Sequence, residues 1–175
     1  DITENWRALV MNINEIMSID VKTCMPSSNL QEVAGLMWSN DCGAIPVVNE
    51  LNIPLGIVTD RDIAMAAMLN QKPLYALSAA EVIQEQNLCS CQQNNSLQEC
   101  LNMMKEEGVR RVLVTNADDT LAGIVSIGDV VAFTGNSTSK GKRQAAQIKQ
   151  EPVLSMLKHV SAHHKQPEQP LTQME

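Results

Sequence analysis

Two pairs of side chains have the types and spacing to do chemistry: Thr59 with Asp62, and Ser126 with Asp129. Each is a small hydroxyl residue three positions ahead of an aspartate, placed where an apolar stretch, GIVT or GIVS, gives way to helical spacing. An aspartate at a helix start can accept hydrogen bonds from the two vicinal hydroxyls of a ribose, and a Thr or Ser three residues earlier can donate to a phosphate oxygen. Free backbone N–H groups at the same helix start add positive partial charge for the phosphate. The plainer alternative is that each aspartate only caps the helix it precedes, a contact worth about 1 kcal/mol.

The octapeptides around the two pairs, GIVTDRDI from residue 56 and GIVSIGDV from residue 123, stand 67 residues apart. The same offset superposes Cys24 on Cys91, Leu30-Gln31-Glu32 on Leu97-Gln98-Glu99, Met37 on Met104, Val47 on Val114 and Asn49 on Asn116 without a gap. A supersecondary unit is therefore duplicated, and a cap alone would not demand Thr or Ser at the same place in both copies. A chain of 175 residues is too short for two large domains, so the copies are expected to share one core.

The net formal charge of −7 argues against long-range attraction to nucleic acid or to an anionic membrane. No apolar run approaches the roughly 18 residues of a membrane span, and DITENWRALV lacks the basic-then-apolar order of a signal peptide. A cytoplasmic protein is expected. The five cysteines fit reduced thiols better than a disulfide framework, and Cys89-Ser90-Cys91 has no second Cys or His pair at zinc-finger spacing. His159, His163 and His164 stand in a polar tail without acidic or thiol support, so no metal is expected there either.

The elements that must position the two pairs follow from periodicity. Trp6, Leu9, Val10, Ile13, Ile16 and Met17 form the stripe of an N-terminal helix over residues 1–17, a packing or dimer element. Copy one, residues 18–70, reads as a strand at SIDVKT, a helix from LQEVAGLMWSN, a strand at AIPVV, its antiparallel partner at LGIVT and a final helix. Residues 71–87 read as a connecting segment. Copy two, residues 88–133, repeats the plan with Asn94, Asn95 and Ser96 supplying the cap of one helix and Gly108 ending it. Residues 134–175 read as a polar C-terminal extension without a strong stripe, partly disordered. The fold class is α+β, with two β-α-β-β-α repeats.

At these residues the chain resembles a tandem pair of CBS domains, the regulatory unit called a Bateman module. The likeness rests on Gly-hydrophobic-hydrophobic-Thr/Ser-x-x-Asp ending each copy, on AIPVV and RRVLV in the preceding strand, and on MSIDV, similar to a Met-Thr-x-Asp-Val start. It implies two pseudo-twofold related repeats, small mixed sheets packed together with helices outside, two clefts at the junction and a homodimer. It also implies which residues hold a ligand. Around Ser126 and Asp129, with Ile124, either Arg110 or Arg111 would meet a phosphate, and Ser18, Asp20, Val21 and Lys22 with Cys42 would surround an adenine. Around Thr59 and Asp62, with Ile57 and Arg61, the segment from Gln86 to Cys89, Leu88 included, would supply the adenine wall. The arginines read equally as solvated edge-strand residues or ion-pair partners.

The expected ligand is an adenosine compound: AMP, ADP, ATP or an S-adenosyl compound. No catalytic cofactor is expected, since neither copy sets a nucleophile beside a histidine base and all three histidines follow residue 158. A ligand sensor is one reading, and an adaptor with empty clefts is the other. The expected partners are a second copy of the chain, through the faces of Ile63-Ala64-Ala67-Met68 and Val130-Val131-Phe133, and a separate target protein. Met65, Met68, Met103 and Met104 read as packing residues on helix stripes.

Overall fold

The computed structural model describes residues 11–84, 86–135 and 150–161. Copy one contains α1 (Leu30–Ser39), β1 (Ala44–Val48), β2 (Pro54–Thr59) and α2 (Asp60–Asn70). A short helix, α3 (Ala79–Ile83), precedes copy two, which runs β3 (Ser90–Gln92), α4 (Leu97–Glu106), β4 (Arg111–Thr115), β5 (Leu121–Ser126) and α5 (Ile127–Gly135). A further helix, α6 (Gln150–Ser161), follows.

The duplication is reproduced at the level of single hydrogen-bond registers. Ala44 pairs with Thr59 and Arg111 with Ser126, and each hairpin carries its irregularity at the same step, Val47/Val48 and Val114/Thr115. Cys24 bridges Val47 in parallel as Cys91 bridges Val114. Asp41 and Gly108 both take positive φ behind the first helix of their copy, and Asn52 and Asp119 do so in the hairpin turns. Those four positions need left-handed backbone, which Gly, Asn and Asp tolerate best. The first helices are capped alike: Asn29 accepts from the Glu32 N–H, and Ser96 accepts from the Glu99 N–H in a full capping box.

The sheets are small, as expected, but unequal. Copy two has a mixed three-stranded sheet in the order β3-β4-β5, and copy one a two-stranded antiparallel one. The strand expected at SIDVKT is reduced to isolated bridges from Ser18 to Ile124 and from Cys24 to Val47.

The single core expected of the two copies is in fact two, because each hairpin and its helices enclose their own apolar cluster, and the segments that lead into one copy complete the core of the other. Met11, Ile13 and Ile16 are buried with Leu97, Leu101 and Met104 of copy two. Leu77 and Ala79 are buried with Leu30, Val33 and Val58 of copy one. The exchange is fixed by backbone bonds, since the Leu97 N–H donates to the Met11 carbonyl and the Leu30 N–H to the Leu77 carbonyl.

Three further expectations are corrected. Residues 1–10 of the proposed N-terminal helix lie outside the described residues, and 11–17 form a 3-10 turn at Ile13–Glu15 rather than an α-helix. Of its stripe, Ile13 and Ile16 are buried in the copy-two core of the same chain and Met17 packs against it. Residues 71–87 are more than a connector, because Leu77 and Ala79 are integral to a core. The polar extension contains α6, whose Val153, Met156 and Val160 are buried against copy two. Residues 162–175 lie outside the described residues.

Candidate functional site

At the end of each hairpin the strand turns directly into a helix, so the hydroxyl residue and the aspartate of each pair meet at that helix's first turn. The Thr59 N–H donates to Asp62 Oδ2 at 2.8 Å, the Thr59 hydroxyl donates to the same oxygen at 2.6 Å, and the Asp62 N–H donates back to Thr59 Oγ1 at 3.3 Å. In copy two the Ser126 N–H donates to Asp129 Oδ2 at 2.8 Å and the Asp129 N–H returns to Ser126 Oγ at 3.2 Å. The Ser126 hydroxyl also donates to Asp129 Oδ2. Both pairs are therefore capping boxes, and the cap reading of the sequence is realised in each copy.

What distinguishes copy two is a third group. The Ser18 hydroxyl donates to Asp129 Oδ1 at 3.1 Å, while Ser18 and Ile124 exchange two backbone bonds of 2.9 and 3.0 Å. The lead-in of copy one is thus stitched along β5, and both carboxylate oxygens of Asp129 are engaged from two different copies. A ribose hydroxyl at this site would take the place of the Ser18 hydroxyl on Oδ1. A phosphate seeking the Ser126 hydroxyl must draw it away from Oδ2.

The close approach explains the glycine ahead of each pair. A Cβ on Gly123 would lie 2.6 Å from the Ser18 carbonyl oxygen, and one on Gly56 would lie 2.7 Å from Ile83 Cβ. Each second hairpin strand is thus overlain by the lead-in of the opposite copy, and only glycine leaves the room. In copy one the contact is completed by Gln86, whose Oε1 accepts from the Ile57 N–H at 3.3 Å. Met17 stands in the apolar stripe and Gln86 in the expected adenine wall, whereas Ile83 is signalled in the sequence only by the glycine it overlies.

The arginines part company. Arg111 pairs with Ser126 in the strand register, and its Nη2 lies 3.4 Å from the Cβ position of Gly43, with Asp60 Oδ2 3.1 Å from the same point. Arg110 turns to the C-terminal helix and donates through Nη2 to the Val160 carbonyl at 3.4 Å. Of the two arginines that the resemblance offered for a phosphate, Arg111 stays beside Ser126, and Arg110 is engaged with α6. Asp20 and Lys22 pair with each other at 2.8 Å on the surface, and this hydrogen bond and charge hold the Asp20 carboxyl below its ordinary range. Val21 is half-buried, and Leu88 and Arg61 are exposed. Cys42, expected beside the Ser18–Lys22 segment, lines a different groove with Trp38 and Asp60 between α1 and α2.

All five cysteines are free. Burial pushes the Cys24 and Cys89 thiols up to about 11, so neither is a thiolate at neutral pH. Among the described residues no group of three or more His, Cys, Asp or Glu could hold a metal ion, and no helix is long and apolar enough to cross a membrane.

The family model described as CBS domain matches residues 13–69 and 79–135. The protein YhcV of Bacillus subtilis, described as CBS domain-containing, is 31% identical over 134 residues, 74% of this chain and 90% of that one. The crystal structure of Hypoxic Response Protein I with two coordinated zinc ions superposes with a TM-score of 0.63 at 30% identity, covering 70% of this chain and 98% of that one. The structure of CBSX2 in complex with AMP superposes with a TM-score of 0.61 over 70% of this chain and 94% of that one, and at 20% identity it speaks for the fold alone.

Proposed function

This chain belongs to the CBS-domain family, and on that premise we propose that it is a non-catalytic sensor of an adenosine-containing ligand, AMP, ADP, ATP or an S-adenosyl compound, held between the two copies. The observation that carries the reading is the convergence on Asp129. Ser18 from one copy and Ser126 from the other present hydroxyls to its two oxygens, with Arg111 in register beside Ser126. A ligand seated there touches both copies at once and so biases how they sit together. CBSX2, a protein of the same fold, binds AMP, and the ligand class proposed for this chain is taken from that example. The Thr59–Asp62 cleft is the second, weaker site, because Gln86 rather than a paired backbone overlies its strand.

In this reading Arg111, not Arg110, meets the phosphate. The chain works as a homodimer through the outward stripe of α2, where Met65, Met68 and Leu69 are 39%, 45% and 69% exposed. Ile63 and Val130, counted on the dimer faces from the sequence, are buried inside their own copies, and the side chain of Phe133 lies outside the described residues. Five free thiols suit a reducing cytoplasm.

The adaptor reading with empty clefts is favoured by one observation: both aspartates are engaged as helix caps by bonds within the chain. Calorimetry of AMP, ADP, ATP, S-adenosylmethionine and adenosine against the full chain separates the two. Saturable binding that Arg111→Ala weakens for AMP and leaves nearly unchanged for adenosine supports the sensor. Absence of binding across the panel leaves the adaptor.

A further inference from the structure

The 67-residue offset also pairs the buried cysteines, and it does so unequally. Cys91 stands where copy one has Cys24, and both are 6% exposed, whereas Cys100 stands where copy one has Val33, and both are 0% exposed. The copy-one core therefore holds one sulfur where the copy-two core holds two. The backbone fixes both of them. Cys91 pairs with Val114 in the parallel register of β3 and β4, and its carbonyl accepts from the Thr115 hydroxyl at 3.4 Å. Cys100 lies near the start of α4, its N–H donating to the Ser96 carbonyl at 3.2 Å, on the helix face that also buries Leu97, Leu101 and Met104.

The second sulfur changes the chemistry of the first. The Cys100 thiol donates a hydrogen bond to Cys91, which holds the Cys91 thiol below its ordinary range and, together with burial, pushes the Cys100 thiol up. Cys24, with valine at the corresponding place, has only the burial that pushes it up to about 11. One sulfur of the pair is thus favoured as the nucleophile, and the other stands against it as the proton donor. Strand β3 is the edge of its sheet, and the residues on either side of Cys91 are open to solvent, Ser90 partly and Gln92 fully, so a small oxidant meets the thiol once three residues open locally.

We propose that Cys91 and Cys100 are a redox pair that hydrogen peroxide converts to a disulfide, stapling β3 to α4. The Cys91 thiolate attacks one peroxide oxygen, the O–O bond breaks, and the departing hydroxide takes up a proton as water, leaving a sulfenic acid on Cys91. The Cys100 sulfur then attacks the Cys91 sulfur, so that the S–S bond forms, the S–O bond breaks and hydroxide leaves with the Cys100 proton as a second water. The peroxide gains the two electrons that the thiols lose. A thiol reductant reverses the change and restores the free cysteines seen here. The pair works alike in a sensor and in an adaptor.

The test treats the full chain with hydrogen peroxide under native conditions, in a Cys42→Ser background that removes the exposed thiol. The remaining thiols are then blocked with iodoacetamide in denaturant, and the chain is cleaved after glutamate. Cleavage at Glu85, Glu99 and Glu106 places Cys91 in the peptide 86–99 and Cys100 in the peptide 100–106. The expected result is an intact chain lighter by two hydrogens before blocking, and these two peptides joined through Cys91, parted again by dithiothreitol, while Cys24 is alkylated in full. Cys100→Val, which gives copy two the residue of copy one, should abolish the link and slow the reaction of Cys91 with peroxide at least about tenfold. The proposal is overturned if Cys91 and Cys100 are alkylated as fully as Cys24 after millimolar peroxide, if the link runs through Cys89, or if Cys91 reacts as fast in Cys100→Val.

Discussion

Replacing Asp129 by alanine separates the work it does for the helix from the work it does for a ligand. Without a ligand, the change removes the acceptor of the Ser126 N–H and hydroxyl and of the Ser18 hydroxyl at 3.1 Å. Loss of the cap costs about 0.5–2 kcal/mol of stability. With a ligand, two ribose hydroxyls on a carboxylate are worth about 1.5–3 kcal/mol each, so at least about 3 kcal/mol together. Against this stands the one bond displaced, that of the Ser18 hydroxyl to the same carboxylate and so of the same worth, which leaves a net gain of one such bond. The smallest net loss is then about 1.5 kcal/mol, close to tenfold in Kd. Asp129→Asn sharpens the comparison, since it keeps an oxygen to accept from the Ser126 N–H and discards the charge. It should recover most of the stability and little of the affinity. Urea unfolding and calorimetry with AMP and adenosine on the same preparations measure both quantities. If Asp129→Ala lowers stability by about 1 kcal/mol while AMP affinity stays unchanged, the aspartate is a cap only and the ribose assignment is wrong.

Gly123→Ala should destabilise the chain by about 1–3 kcal/mol and weaken adenosine binding together, because its methyl group would meet the Ser18 carbonyl 2.6 Å away and push the lead-in off β5; calorimetry and thermal melts read both. The capping-box bonds from Ser96 hold Glu99 below its ordinary value of 4.5, so its contribution is present above that pH and is lost as pH falls through the lowered value. Glu99→Gln should accordingly shrink the drop in melting temperature between neutral pH and pH 3.5, an expectation that an unchanged drop would contradict. Met156→Ala, at 1% exposure, should cost about 2–5 kcal/mol in chemical denaturation, whereas truncation after Ser161 should leave both stability and ligand affinity within error.

The repeat, its hairpins and its caps were legible in the residues because the signals are local. A capping box needs only Ser96 and Glu99 three residues apart, and a hairpin register needs only the apolar run and the left-handed turn positions Asn52 and Asp119. An offset shared by two copies multiplies such local signals without any reference to tertiary contacts. Periodicity shows that a face is apolar but not which core will cover it, and there the sequence was silent. The stripe of Ile13 and Ile16 proved to belong to copy two, and Leu77 and Ala79 to copy one, through contacts that span most of the chain. Helix α6 was missed because Val153, Met156 and Val160 are too few to outweigh the polar residues around them until α4 is there to receive them. The same non-local contact decides between two adjacent arginines of identical chemistry. Arg110, just ahead of β4, reaches the Val160 carbonyl, and Arg111, its first residue, stays beside Ser126, a division that exists only once the helix and the sheet have met.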